Sequence, residues 1–337
     1  MKLSIITPSI MDWKELEYIS DVLRNQNNQD FEVIFVVSKA NKKMYSVIES
    51  VVEFFGSRVK VVFNQKRKSI QSDIITALHL VKNQYVYVLS PDSVIKKNFV
   101  RILTNKLIDN QPQILEFRPN LTGSIKWHPQ PRINTNTLIN KKESQEFVAY
   151  AFPFIFNKVF KKSFIEQFIN YRVKEMNDTK FATELLYVLL VNASSYMYWN
   201  VSPVKEHISS STWLAPNNFL TQFKIIENFI TTNNLDLLSE ITYAKLYFLQ
   251  IVLLGFLNSR EFSVFKVLHY IFDSRKKYNE KRGEKFLNDL YTFLKDYHEE
   301  NFQIFLANNY VNKINKEAEY LRNLPDLETA VQIYKNL

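Results

Sequence analysis

The chain has 337 residues, 46% hydrophobic and 23% charged, a balance that supports a buried core in one large or two modest domains and excludes a disordered chain. It has no cysteine, which removes disulfides, thiolate metal sites and cysteine nucleophiles, and its four glycines (Gly56, Gly123, Gly255, Gly283) lie too far apart to form a dinucleotide or P-loop phosphate motif. The net charge is +9 and the whole excess lies early: residues 214–337 carry 15 basic and 15 acidic side chains, residues 1–213 carry 28 and 19, so the first part is expected to meet a nucleotide, a nucleic acid or an acidic membrane surface.

The opening apolar run stops at Pro8, too short for a signal-peptide core, and reads as a first strand over residues 3–7. Short β-branched and aromatic runs at residues 32–37, 59–63 and 85–89 follow it, the form expected of strands buried on both faces. Between them, apolar residues recur at helical spacing over residues 14–26 (Leu16, Ile19, Val22, Leu23), 42–55 and 70–82 (Ile74, Ala77, Leu78, Val81). The alternation predicts an α/β fold: a Rossmann-like, mostly parallel sheet flanked by helices, with ligands at the carboxyl ends of its strands.

Over residues 111–142 the helical pattern gives way to polar sequence punctuated by Pro112, Pro119, Pro129 and Pro131, expected to form a long loop or hairpin of the kind that covers sites. Helical spacing returns around residues 147–168 and 179–191, and after Pro216 the chain reads as helix almost to its end. The expected organisation is an α/β domain over residues 1–213 and an α-helical C-terminal domain over residues 214–337. The longest apolar run, residues 246–257, is 12 residues long and contains Gln250. A bilayer span needs about 17 to 25 residues, so this is expected to be a buried helix, with a helix lying in a membrane interface as the alternative.

Several segments together resemble a known family. Leu3-Ser-Ile-Ile-Thr-Pro-Ser9, the helix ending Val22-Leu-Arg-Asn-Gln26, and Asp30-Phe-Glu-Val-Ile-Phe-Val-Val37 are similar to the start of family 2 glycosyltransferases of the GT-A fold. Asn64 lies where that family has an Asn after its third strand, and Tyr85-Val-Tyr-Val-Leu-Ser-Pro-Asp92 resembles the strand leading into its D-x-D motif. Phe156-Asn-Lys-Val-Phe-Lys-Lys-Ser-Phe164 resembles its N-K-x-F-K-R-S segment, Asn177-Asp-Thr-Lys-Phe181 its E-D-x-x-F segment, and Val204-Lys-Glu-His-Ile-Ser-Ser-Ser211 its closing Y-x-Y-R/H-x-x-S-x-S. The C-terminal part is not covered. Three positions depart from the family: its paired aspartates are Val37-Ser38 here, its Arg-Asn falls at Ile74-Ile75, and the first aspartate of D-x-D is Ser90.

The resemblance implies an inverting transferase that moves a sugar from a nucleotide-diphosphate donor, a UDP-sugar first, to a glycan or lipid acceptor of the cell envelope. It implies a cytoplasmic protein, peripheral at the inner face of the membrane if the acceptor is a lipid. Such chemistry needs a carboxylate to take the acceptor hydroxyl proton and a cation to neutralise the departing diphosphate. The family assigns the first role to the position of Asp178 and the second to Mg²⁺ or Mn²⁺ held at the position of Asp92; donor contacts fall on Pro8, Ser9, Ser38, His207 and Ser209. Each residue also has a plainer reading. Asp92 fits a strand-ending turn that caps the next helix, Asn177 or Asp178 fits a helix N-cap, and His207 fits a satisfied polar contact. Trp127, Tyr150, Phe152 and Phe154 are expected in the core rather than against a sugar or base. Lys66-Arg67-Lys68, Lys96-Lys97 and Lys161-Lys162 are candidate anion contacts or solvated faces. A GT-A scaffold that has lost catalysis is the second functional reading, and a nucleic-acid-binding protein is disfavoured because no motif for it occurs.

Overall fold

A computed structural model describes residues 2–176, 179–259 and 280–337, so Asp178 lies outside the described residues. In chain order the first half contains β1 (Leu3–Ile10), α1 (Trp13–Arg24), β2 (Phe31–Ser38), α2 (Lys42–Phe55), β3 (Val59–Asn64), α3 (Ile70–Leu78), β4 (Tyr85–Val88), β5 (Val94–Ile95) and α4 (Phe99–Asn110). Then come β6 (Ile114–Phe117), β7 (Leu121–Gly123), β8 (Leu138–Asn140), α5 (Glu146–Tyr150), β9 (Lys158–Lys161), α6 (Lys162–Ile165), α7 (Thr183–Asn192), β10 (Ser195–Trp199), β11 (Val204–Ile208) and α8 (Pro216–Thr232). Helices Leu238–Ser259, Glu280–Glu300, Phe302–Ala307, Lys316–Arg322 and Leu327–Asn336 follow.

Among the described residues the main sheet has eight strands in the order β3-β2-β1-β4-β9-β6-β10-β8, and a three-stranded sheet has the order β5-β11-β7. β1 to β4 are mutually parallel, the arrangement the alternating strand and helix signals predict. β2 is buried at every residue because both faces are covered. Phe31, Val33, Phe35 and Val37 point into one apolar layer with Leu16, Ile19 and Leu23 of α1 and Met44 of α2. Ile34 and Val36 point into the other, with Ile74 and Ala77 of α3 and Leu185 and Leu189 of α7. α1 starts immediately beyond β1 because Asp12 and Glu15 form a reciprocal capping box.

The region after α4 departs from expectation. The stretch over residues 111–142 is not a loop covering the site; it contributes β6, β7 and β8 and then anchors to the C-terminal helices. Arg132 makes two 2.7 Å bonds to the Glu317 carboxylate, and Trp127 stacks on Tyr334 at 5.5 Å. The expected aromatic core is observed: Trp127, Tyr150, Phe152 and Phe154 are all buried. Within residues 147–168 the helical reading is replaced in part by β9, which runs antiparallel between β4 and β6. Its four residues are flanked by lysines at both ends, too short and too polar for a strand pattern. Lys158 is wholly buried in an ion pair with Glu116 of β6 at 3.4 Å, and its three N–H groups go to Phe154 O at 2.8 Å, Asn157 Oδ1 at 2.9 Å and Phe152 O at 2.5 Å. Burial pushes Lys158 down to about 8, with Glu116 opposing.

The helical half shares the apolar layer of α3 and α7. Phe219, Phe223 and Ile226 of α8 are buried as their spacing predicts, and so are Leu290 and Leu294 of Glu280–Glu300. Leu238–Ser259 is the one described helix long and apolar enough to span a bilayer, but 94% of its apolar window is buried inside the protein. That is a core helix, and it removes the membrane-interface alternative for this segment. Gly255 is required in it: a Cβ there would meet the Tyr334 ring at 2.4 Å.

Replacing Lys158 by Met leaves Glu116 buried without its cation, so urea denaturation is expected to show a loss of about 3 to 5 kcal/mol. Adding Glu116→Gln to that variant should recover part of the loss. Unchanged stability of Lys158→Met would show that the pair does not hold the sheet centre.

Candidate functional site

The carboxyl ends of β1, β2, β3 and β4 form one polar edge. β1 carries a register irregularity between Thr7 and Ile10 that places Pro8 and Ser9 at this edge, Ser9 with the left-handed φ of 58°. Ser38 pairs with Asn64 across the ends of β2 and β3, and its buried hydroxyl has no partner. The polar group of α3 that faces this edge is Asp73. Its carboxylate accepts from the Ser9 backbone N–H at 3.1 Å and from the Asn64 side-chain amide at 2.8 Å. Ile74 and Ile75, expected at the family's Arg-Asn position, instead point into the core because helical rotation turns them away. Burial raises the Asp73 carboxyl to about 6, opposed by those two hydrogen bonds and by the charges of Lys68 and Arg67. Lys66, Arg67 and Lys68 are exposed in the loop between β3 and α3, so this basic run does border the edge. Lys161 and Lys162 do not: Lys161 pairs with Tyr85, at the opposite end of the sheet.

A second cluster stands beside β4. Ser90 to Ser93 is a tight turn closed by the Ser93 N–H on Ser90 O at 3.1 Å, as its composition suggests. Asp92 caps no helix, since α4 begins at Phe99 after Asn98. Its carboxylate instead accepts from the Lys180 ammonium at 2.7 Å, and the same ammonium reaches Glu206 at 2.7 Å and His207 O at 2.8 Å. Burial alone would push Lys180 down; Glu206 and Asp92 outweigh it and hold the ammonium above the ordinary lysine range. The other oxygen of Glu206 accepts from the Ser93 hydroxyl at 2.5 Å.

β11 positions this cluster by strict alternation. Val204, Glu206 and Ile208 face inward while Lys205 and His207 face solvent. The His207 backbone therefore joins the cluster and its ring lies on the other face, close to Gly123: a Cβ on Gly123, whose φ is +96°, would meet His207 Cε1 at 2.7 Å. Ser209 lies in the turn just beyond, bonded to the Ser211 hydroxyl at 2.5 Å. Sequence reasoning missed Asp73, Lys180 and Glu206 as site residues. Glu206 was signalled by a charge at the inward position between Val204 and Ile208 of an alternating strand, and Asp73 by a charge on the buried face of α3; Lys180, in a polar run outside any periodic element, gave no such signal.

The segment flanking Asp178 is held from both sides. Glu184 is buried and accepts from the Tyr171 hydroxyl and from the backbone N–H groups of Lys174 and Glu175, each at 2.9 Å. α7 begins at Thr183 behind Ala182, so its N-cap is neither Asn177 nor Asp178. Its free N–H groups are satisfied from afar, Glu184 N by Gln222 of α8 at 3.0 Å and Leu185 N by Gln71 of α3 at 2.7 Å.

Residues 4–167 match the model of glycosyl transferase family 2. That stretch, just under half of the chain, is similar to family 2 glycosyltransferases. Among solved structures, residues 1–349 of TarS from S. aureus in complex with UDP align with a TM-score of 0.61 over 99% of this chain and 90% of that one at 12% identity. The same fragment in complex with UDP-GlcNAc gives 0.57 at 15% identity over the same shares, 99% and 90%. The mannosyltransferase PcManGT from Pyrobaculum calidifontis, in complex with GDP-Man and Mn²⁺, gives 0.51 at 10% identity over 98% of this chain and 86% of that one. No curated protein matches the chain. At these identities the structural likeness establishes the GT-A fold.

The family implies a divalent ion at Asp92, and the donor set does not fit one. The oxygens that would form its shell are occupied by the Lys180 ammonium, and among the described residues no group of three or more His, Asp or Glu side chains is arranged to hold a metal. Asp92 is at the sheet edge where the sequence puts it, in an ion pair.

Asp73 yields a pH prediction for this domain. Its folded value of about 6 lies above the ordinary 3.8, so between these pH values the folded chain retains a proton that the unfolded chain has lost. Stability from this group therefore falls as pH rises from about 4 to 6, by at most about 3 kcal/mol. Asp73→Asn should flatten that part of the urea-denaturation profile, and an unchanged slope in the variant would refute the assignment.

Proposed function

We propose that the protein transfers a sugar, with inversion, from a nucleotide-diphosphate donor to a glycan or lipid acceptor. The observation that carries this reading is the polar edge of a family 2-like domain, where Ser9, Ser38, Asn64, Asp73 and Asp92 meet at the ends of β1 to β4 with Lys66, Arg67 and Lys68 bordering it. A carboxyl edge of this kind is where an α/β sheet takes its ligand, and the basic border suits a diphosphate. The TarS structures in complex with UDP and UDP-GlcNAc support a UDP-sugar as donor. Pro8, Ser9 and Ser38 are assigned to the nucleoside side and Ser209 to the sugar-diphosphate side, where His207 contributes its backbone carbonyl to Lys180 while its ring lies on the other face of β11.

Asp178 is the proposed general base, taking the acceptor proton as the acceptor oxygen attacks the anomeric carbon and the nucleoside diphosphate leaves. The support is its place between Glu175, whose N–H is held by Glu184, and Lys180, which is held at Asp92. A scaffold without catalysis is the second reading, favoured by Ser38 and Ser90 at positions that are acidic in the family. Calorimetry with UDP and GDP, followed by hydrolysis and transfer assays with UDP-sugars, separates the two: both readings bind nucleotide and only the first turns over. Asp178→Asn is expected to reduce turnover by about 10² to 10⁴ with donor affinity retained. Full activity in that variant would remove the assignment.

Attachment to an anionic membrane surface is proposed on the basic excess of residues 1–213, not on the buried apolar helix. Each basic residue near such a surface contributes about 1 kcal/mol, screened by salt. Flotation with anionic liposomes at low salt should carry the protein and high salt should release it. Equal recovery in the soluble fraction with neutral and anionic liposomes would favour a soluble acceptor.

A further inference from the structure

The Lys180 cluster supports an inference that rests on the donor reading. Its ammonium is bound by oxygen alone: Asp92 Oδ1 at 2.7 Å, Glu206 Oε1 at 2.7 Å and His207 O at 2.8 Å. Two carboxylates and a carbonyl are the ligand types a hard divalent cation takes. The three N–H directions of the ammonium use all three. The Glu206 side chain is 1% exposed and Lys180 15%, whereas Asp92 is 38% exposed, so the cluster is buried at its base and opens toward solvent only on the Asp92 side.

We propose that the Lys180 ammonium is the resident cation of this site, occupying the place beside Asp92 that a divalent ion would take, so that donor diphosphate binding requires neither Mg²⁺ nor Mn²⁺. The two occupants exclude each other. A divalent ion on the same oxygens would face a unit positive charge within hydrogen-bonding range, and Glu206 has no oxygen to spare, since its Oε2 is engaged by Ser93. The ammonium acts on the diphosphate as charge rather than as a donor: its three N–H groups are taken, it offsets one of the two carboxylate charges beside β4, and Lys66, Arg67 and Lys68 supply exposed positive charge along the same edge. Lys180 lies in the segment that also carries Asp178, so the internal cation and the proposed base are delivered by one stretch of chain.

The test is calorimetric titration of UDP into the full chain, in excess EDTA and in Mn²⁺. Affinity is expected to agree between the two within about twofold. Lys180→Met keeps the apolar stem and removes the charge; it should weaken UDP binding in EDTA by about tenfold or more and regain it with Mn²⁺, because Asp92 and Glu206 are then free to hold the ion. Mn²⁺ alone, followed by electron paramagnetic resonance, should bind the variant and not the wild type. If Lys180→Met fails to fold, the wild-type titration decides by itself. UDP binding that appears only with Mn²⁺ in the wild type overturns the proposal and leaves the donor reading intact; no UDP binding under either condition overturns the donor reading and the proposal with it.

Discussion

The buried pair of Glu116 and Lys158 is the constraint on which the rest of the molecule depends. Neither side chain touches solvent, so each charge is tolerable only because the other is 3.4 Å away and the remaining donors and acceptors are satisfied. Glu116 also accepts from Phe152 N, Asn157 and the Tyr196 hydroxyl, which ties β6, β9, β10 and the chain entering β9 into one network. An antiparallel strand is thereby held in the middle of a largely parallel sheet. The chain leaving β9 then runs back toward the carboxyl edge, where Lys180 meets Asp92, and returns through β10 and β11 to bring Glu206 to the same point.

The edge that results carries charge in two separate ways. Around β1, β2 and β3 it presents one buried carboxyl, Asp73, whose ionisation is opposed by burial and assisted by Lys68 and Arg67. Beside β4 it presents two carboxylates already neutralised in part by Lys180. An anionic ligand therefore meets a loop of exposed cations rather than a row of unpaired acids. That is the charge arrangement the proposed diphosphate donor would need at an edge where Ser38 and Ser90 stand at positions that are acidic in the resembling family.

The helical half participates in the construction of the site. Gln222 of α8 caps the N-terminus of α7 directly beyond the segment that carries Asp178, and without it a buried N–H would stand unpaired. The bidentate contact from Arg132 to Glu317, with the guanidinium 3.2 Å from the centre of the Tyr247 ring, locks the stretch between β7 and β8 to these helices. α8 and Leu238–Ser259 share one apolar layer with α3 and α7.

Local pattern in the sequence was sufficient for the first four strands, the three helices between them, the strand-ending turn at Asp92, and the buried state of the helix containing residues 246–257, because those features depend on periodicity and turn chemistry that neighbouring residues express; Ser9, Ser38 and Asn64 were singled out by the family resemblance instead. β9 was not legible, since a four-residue strand ending in lysines owes its place to the Glu116 partner about forty residues away rather than to its own pattern. Asp73 was one residue from the expected pair at Ile74 and Ile75, a distinction that helix rotation makes and spacing alone does not. Lys180 and Glu206 were present in recognised segments, but their meeting with Asp92 joins residues 88 and 26 positions distant from Lys180. Only the folded chain brings three such charges together, because their mutual attraction is what makes the burial of each one tolerable.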